Sequence, residues 1–174
     1  MIIHKENIMR SIFHFVNFKN LFARKPNAVA IVNGSRAYPH IRGIVRFYKV
    51  ARGVMGRAEL AGLPKGNDQC NSPIFAIHIH SVGDCSEIGS EPFPYTMGHY
   101  NPRNCPHPYH AGDMPPLFSA GGRAVSVFLT DRFTIDEIFE KSIIIHSSPD
   151  DFTSQPSGNS GTKIACGIIV PVMR

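Results

Sequence analysis

The chain has 174 residues, 43% of them apolar and 18% charged, with a formal net charge of +5 and a mean hydropathy of −0.09. That length suits one domain with a real core; the apolar share excludes a disordered chain, and no apolar run reaches the roughly 18 residues of a spanning helix. With 15 Gly and 14 Pro the composition leans toward a turn-rich, loop-heavy fold, and four Cys are too few for a disulfide scaffold.

The charge gathers at the start. Lys5, Arg10, Lys19, Arg24 and Lys25 face only Glu6 within residues 1–27. No basic, aromatic-interleaved cluster follows, so no nucleic-acid partner is expected. Arg10, His14, Asn17 and Lys19 interrupt the apolar stretch here, and no small-residue cleavage site follows it. Residues 1–27 therefore read as a basic extension, flexible or an over-long start with Met9 as a second initiator. Ile8, Ile12, Phe15, Phe18 and Phe22 also recur at the spacing of an amphipathic helix.

From Ala28 onward short β-type runs alternate with turn residues, and residues 28–174 read as one domain. Strands are expected at Ala28–Asn33, Ile41–Val50, Val54–Leu63 and Ile74–His80, then at Arg123–Thr130, Ser142–His146 and Lys163–Val170. Ile135–Glu140 suggests one helical turn. Evenly spaced strands with turn punctuation indicate an antiparallel all-β sandwich or barrel. Residues 81–122 and 147–162 are left as loops of about 40 and about 16 residues, and loops that long are usually functional or tied down.

The histidines lie where those loops meet the strands. In Phe75-Ala-Ile-His-Ile-His80, alternation sends Ile77 and Ile79 to the core and His78 and His80 to the other face, about 6.5–7 Å apart. Taken alone, such a pair also reads as two surface histidines on a half-exposed strand. Further along, His99, His107, His110 and Asp113 fall within fifteen residues of loop. Three imidazoles and a carboxylate suffice for a closed tetrahedral zinc site, and the loop has little apolar material to hold it otherwise. His146, ending Ile143-Ile-Ile-His, supplies a further imidazole for the His78/His80 side. An all-imidazole set suits copper, which accepts nitrogen ligation and changes oxidation state.

Several motifs together resemble the copper,zinc superoxide dismutases. They are Phe75-Ala-Ile-His-Ile-His80 with Gly83-Asp-Cys85, Gly98-His-Tyr-Asn-Pro102, His110-Ala-Gly-Asp113, Ile145-His146 with Pro149-Asp-Asp151, and Gly158-Asn-Ser-Gly-Thr-Lys-Ile-Ala-Cys-Gly167. They run through most of residues 28–170 in the family's order. The resemblance implies a Greek-key β-barrel of about eight antiparallel strands with two long functional loops. It implies His78, His80, His99 and His146 as copper ligands, and His99, His107, His110 and Asp113 as zinc ligands. His99 then bridges both metals. Asp150 matches the carboxylate that orients one ligand of each metal, and Cys85 and Cys166 match the family disulfide. The implied activity is disproportionation of superoxide to O2 and H2O2 by a copper ion that alternates its oxidation state, with His99 exchanging a proton.

Two departures stand out. Lys163 occupies the position where the family usually carries an Arg that attracts and orients the superoxide anion; Lys keeps the charge and loses the planar fork of donors. It is also the only cation of its loop, so weaker steering is expected; the family is itself a standard example of such steering, with on-rate effects of about 10–10³. His107 and His110 are only three apart, which shortens the zinc lobe, and Cys105 sits inside it. Cys70 and Cys105 match no family role and are expected to be free thiols. These departures suggest an alternative, a dismutase-like copper- and zinc-binding protein with little catalysis. A zinc hydrolase would need an open zinc position, and four ligands fill it. The expected compartment is the cytoplasm, with an extracytoplasmic one as the alternative because a structural disulfide favours oxidising surroundings. A homodimer is compatible with the sequence and not derivable from it.

Overall fold

The structure is a computed structural model that describes residues 22–66 and 73–173. The remainder of the N-terminal extension and Cys70 lie outside those residues, and the expectations for them are not addressed by it.

Alternation along the strands builds the framework. In β1 (Ala28–Gly34), Ala28, Ala30 and Val32 are buried while Ile31 faces out. The same two-residue period turns Val45 and Phe47 inward from β2 (Arg42–Val50), and Val54, Ala58 and Leu60 inward from β3 (Gly53–Ala61). The strand expected over Ile74–His80 is broken at Ala76 into β4 (Ile74–Phe75) and β5 (Ile77–His80). The Ala76 N–H donates to Ser148 O at 2.9 Å, and its carbonyl accepts from His146 N at 2.9 Å. This residue therefore leaves the ladder to tie the second loop to β5.

The 81–122 stretch is less bare than its sequence suggests. It contains the small hairpin β6 (Glu87–Ile88) and β7 (Glu91–Pro92), a 3₁₀ turn at Pro94–Thr96, and β8 (Leu117–Phe118), which pairs with β4. β9 (Arg123–Thr130), β10 (Ser142–His146) and β11 (Lys163–Pro171) follow as expected, and the helical turn is a 3₁₀ turn at Asp136–Ile138.

Seven strands form one antiparallel sheet in the order β5-β10-β11-β1-β2-β3-β9. Chain neighbours β9 and β10 stand far apart in that order, which is the crossover of a Greek key. The sheet curls on itself: Ile79, Ile143, Ile145 and Ile164 from one end share a single core cluster with Phe47, Leu60 and Phe128 from the other. Each isoleucine fully withdrawn from water contributes about 1.5–3 kcal/mol, so this closure is the main source of stability. β10 is buried along its whole length, because its outer face is covered by the two loops.

An exposed sheet edge is left unpaired unless something covers it. At β5 the histidine-bearing loop does so. Tyr100 N donates to Ile79 O at 2.7 Å, Ile79 N to Gly112 O at 2.9 Å and Ser81 N to Gly98 O at 3.0 Å. Single bridges pair His80 with His99 and His78 with Asp113. The loop is thus bonded along the strand that carries the first histidine pair. Its other end is fixed by the Cys85–Cys166 disulfide, which joins it to β11 across 81 residues of chain.

Candidate metal centre

Register brings the first set of imidazoles together. His78 lies opposite Ile144 and His80 opposite Ser142 in the β5–β10 pair, so His78, His80 and His146 leave the sheet on its outer face. An irregularity between Ile145 and His146 in the β10–β11 ladder places His146 across from Lys163. Bulges of this kind re-aim side chains at functional sites. The loop that covers β5 lowers His99 onto the group, with the His78 and His99 ring centroids 3.8 Å apart.

Two groups of donors result. His78, His80, His99 and His146 can each offer a ring nitrogen such that all lie within 4.8 Å of one another. The same holds for His99, His107, His110 and Asp113. His99 belongs to both. All six histidines are buried, His78 completely.

Hydrogen bonding on the far side of each ring shows which nitrogen remains. His80 Nδ1 donates to Met97 O at 2.7 Å, and His146 Nδ1 lies 3.3 Å from Gly161 O. Their Nε2 atoms then face each other at 3.3 Å. Both rings are neutral: burial, reinforced by the neighbouring imidazoles, lowers His80 to about 2 and His146 to about 3. Two lone pairs therefore point at one another.

Asp150 fixes two more rings. Its Oδ2 accepts from His78 Nε2 at 2.8 Å and its Oδ1 from His107 Nε2 at 2.9 Å. Burial pushes the Asp150 carboxyl up, but the bonds from His78, the Phe152 N–H and His107 outweigh it and hold the group down to about 2. This leaves His78 Nδ1 and His107 Nδ1 as buried lone pairs with no hydrogen-bond partner among the described residues. His107 Nδ1 lies 3.1 Å from Asp113 Oδ2, an approach of two acceptors. His99 Nδ1 contacts Asp113 Oδ1 at 2.7 Å and leaves Nε2 unpartnered. Burial raises the Asp113 carboxyl, while the hydrogen bond from His99 and the nearby imidazoles pull it below its ordinary value.

Buried acceptors aimed at acceptors are costly unless a cation lies among them. The donor sets fit metal ions on that ground: four imidazoles in one group, three imidazoles and a carboxylate in the other.

Lys163 stands beside the first group. Its Nζ donates to Phe93 O at 3.0 Å and Thr96 Oγ1 at 2.9 Å. Burial lowers its pKa, and Glu91 opposes that. The structure brings together the seven expected metal donors, with Asp150 bonded to two of them, and joins Cys85 to Cys166; among the described residues Cys105 forms no disulfide. Sequence reasoning missed the backbone acceptors at Met97 and Gly161, the Thr96 and Phe93 seat of Lys163, and the side chains Gln155 and Arg132 that hold the short zinc-type loop. Met97, Gly161 and Phe93 act through main-chain atoms and leave no signature in residue type.

A curled Greek-key sheet with two metal-ready groups sharing one imidazole defines a dinuclear copper- and zinc-type β-barrel class. The family model described as copper/zinc superoxide dismutase (SODC) matches residues 41–169. Superoxide dismutase [Cu-Zn] 2 of Aquifex aeolicus is 33% identical over 132 residues, covering 67% of this chain and 72% of its own. Superoxide dismutase [Cu-Zn] of Legionella pneumophila is 30% identical over 135 residues, covering 73% and 76%. A crystal structure of a double mutant of a SOD-like protein from Bacillus subtilis, 24% identical, superposes with a TM-score of 0.65 over 80% of this chain and 95% of that one. The chain belongs to the copper/zinc superoxide dismutase family.

Proposed function

We propose that the protein converts superoxide to O2 and H2O2, with copper held by His78, His80, His99 and His146 and zinc held by His99, His107, His110 and Asp113. The observation that carries this reading is His99, one buried ring common to both donor groups. When bound, copper supplies the one-electron redox couple and zinc a redox-inert charge.

The chain's own residues do the rest. Lys163, seated by Phe93 and Thr96, attracts the superoxide anion and orients it beside the His80/His146 side. His99 Nε2, the nitrogen left without a hydrogen bond, holds and returns the proton that the peroxide product needs. Asp150 keeps the His78 and His107 rings in the tautomer that presents Nδ1. The two loops limit access of water to all six imidazoles.

Protein loaded with copper and zinc is expected to consume superoxide in a copper-dependent manner. His78→Ala is expected to lose copper and activity while its circular dichroism stays that of the parent. Fully loaded parent protein without turnover would leave only metal storage or handling as its function.

A further inference from the structure

The loop that carries His107 and His110 is held only in part by its own bonds, among them Tyr109 N to Pro106 O at 2.9 Å and His110 N to Asp113 Oδ2 at 3.0 Å. Only Pro108 and Tyr109 separate the two histidines; Pro108 is half-buried and Tyr109 is 65% exposed, so little apolar packing between them holds the turn. Both histidines are nevertheless buried. Two side chains from distant parts of the chain hold the turn.

Gln155, in the 147–162 loop, takes the His107 peptide at both ends. Its Oε1 accepts from His107 N at 3.0 Å, and its Nε2 donates to His107 O at 2.7 Å. The amide does for this one residue what a neighbouring strand does for a ladder residue. The same loop holds the ring, through the Asp150 bond to His107 Nε2. Arg132, just beyond β9, takes the next stretch from the other side. Its Nη1 donates to Pro108 O at 3.0 Å and to His110 O at 3.3 Å, the carbonyls that flank Tyr109. Charge-assisted bonds to main-chain oxygens fix backbone more firmly than neutral ones.

We propose that Gln155 and Arg132 are positioning residues for the second metal group, setting the backbone from which His107 and His110 reach the zinc and so its affinity, while the first group is left as it is. The inference rests on the zinc assignment proposed above. Neither side chain is among the donor atoms of either group. His78, His80 and His146 are borne on β5 and β10, so loosening the short loop leaves three of the four copper donors in place. Outer partners of metal ligands typically change affinity by about 10–100-fold when removed.

The test measures two affinities in each preparation of full-length protein: zinc against a chromophoric zinc chelator, and copper against a copper chelator. Gln155→Met keeps the length and loses both hydrogen bonds. Arg132→Met keeps an unbranched apolar stem and loses both hydrogen bonds on the other side, and Arg132→Lys keeps one cationic donor. Gln155→Met and Arg132→Met are expected to weaken zinc about 10–100-fold with copper affinity within about twofold of the parent. Arg132→Lys is expected to recover part of the loss. Cobalt(II) in the zinc position is expected to show a changed visible band in Gln155→Met, reporting altered ligand geometry. Unchanged zinc affinity in both Met variants overturns the proposal, as does an equal loss of zinc and copper together with a lowered melting temperature. Parent protein that takes up no zinc in the second group overturns the metal assignment itself, a result read before any variant is made.

Discussion

Single side chains are under opposite demands in the two donor groups. An isolated imidazole in water takes up a proton near pH 6.5, whereas His80 and His146 are kept neutral by burial and mutual repulsion. Neutral rings with donors on one nitrogen and lone pairs on the other are metal ligands by construction. The orienting bonds are easily upset. Gly158 has φ +66°, and a Cβ there would stand 2.0 Å from Asp150 Oδ1 and 2.7 Å from His107 Nε2. Gly158→Ala is therefore expected to push Asp150 off His107 and to weaken both metal groups by about 10–100-fold, read by chelator competition. Lys163 differs in kind, since it binds no metal donor. Removing its charge as Lys163→Met is expected to lower kcat/KM about tenfold at low ionic strength and to flatten the salt dependence. An unchanged salt profile would assign the steering to other charges. The donors were legible in the sequence because His and Asp declare their chemistry; the seat of Lys163 was not, because Phe93 offers it only a carbonyl.

Strands and loops divide the work unevenly. β5 and β10 carry His78, His80 and His146 by simple alternation, which any reading of Phe75–His80 and Ser142–His146 recovers. The break at Ala76 was hidden, because alternation continues through it and only the bonds to Ser148 and His146 reveal it. The 81–122 loop looked structureless for a similar reason. Its order comes from pairing with the edge of β5, a partner that local sequence does not name. The disulfide completes this tie. Replacing Cys85 by Ser opens a loop of 81 residues; chain entropy alone puts the cost at about 4.5 kcal/mol, and disulfides typically contribute about 2–4 kcal/mol. The urea midpoint of Cys85→Ser is expected to fall accordingly, with earlier proteolysis in the loop of β6 and β7 than in the barrel. A midpoint equal to that of the oxidised parent would show the loop held by β5 alone.

For the whole molecule, acid stability follows from how many imidazoles the barrel keeps neutral. In the metal-free protein, burial lowers His78, His80, His110 and His146 below the ordinary histidine value. Below about pH 6.5 the unfolded chain binds protons that these folded sites refuse, a window that for His146 runs down to about pH 3. Stability is thus greatest above that window and falls as the pH drops through it. Asp150, held down to about 2, acts in the same direction: its contribution is present above about pH 4 and is lost toward pH 2. The melting temperature of metal-free protein is expected to decline steadily from pH 7 to pH 4 in calorimetry. A flat profile over that range would mean that the imidazoles protonate without opening the barrel.

The sequence by itself determined the all-β class, the strand alternation and the identity of every metal-type donor, because residue type and a period of two are local properties of the chain. The resemblance already implied that His99 serves both groups; the tertiary structure alone decided which nitrogen of each ring is left free and which distant side chains hold the short loop. Those outcomes depend on strand register, on the closure of the sheet and on main-chain carbonyls brought from far along the chain, and none of these is written in the residues that use them.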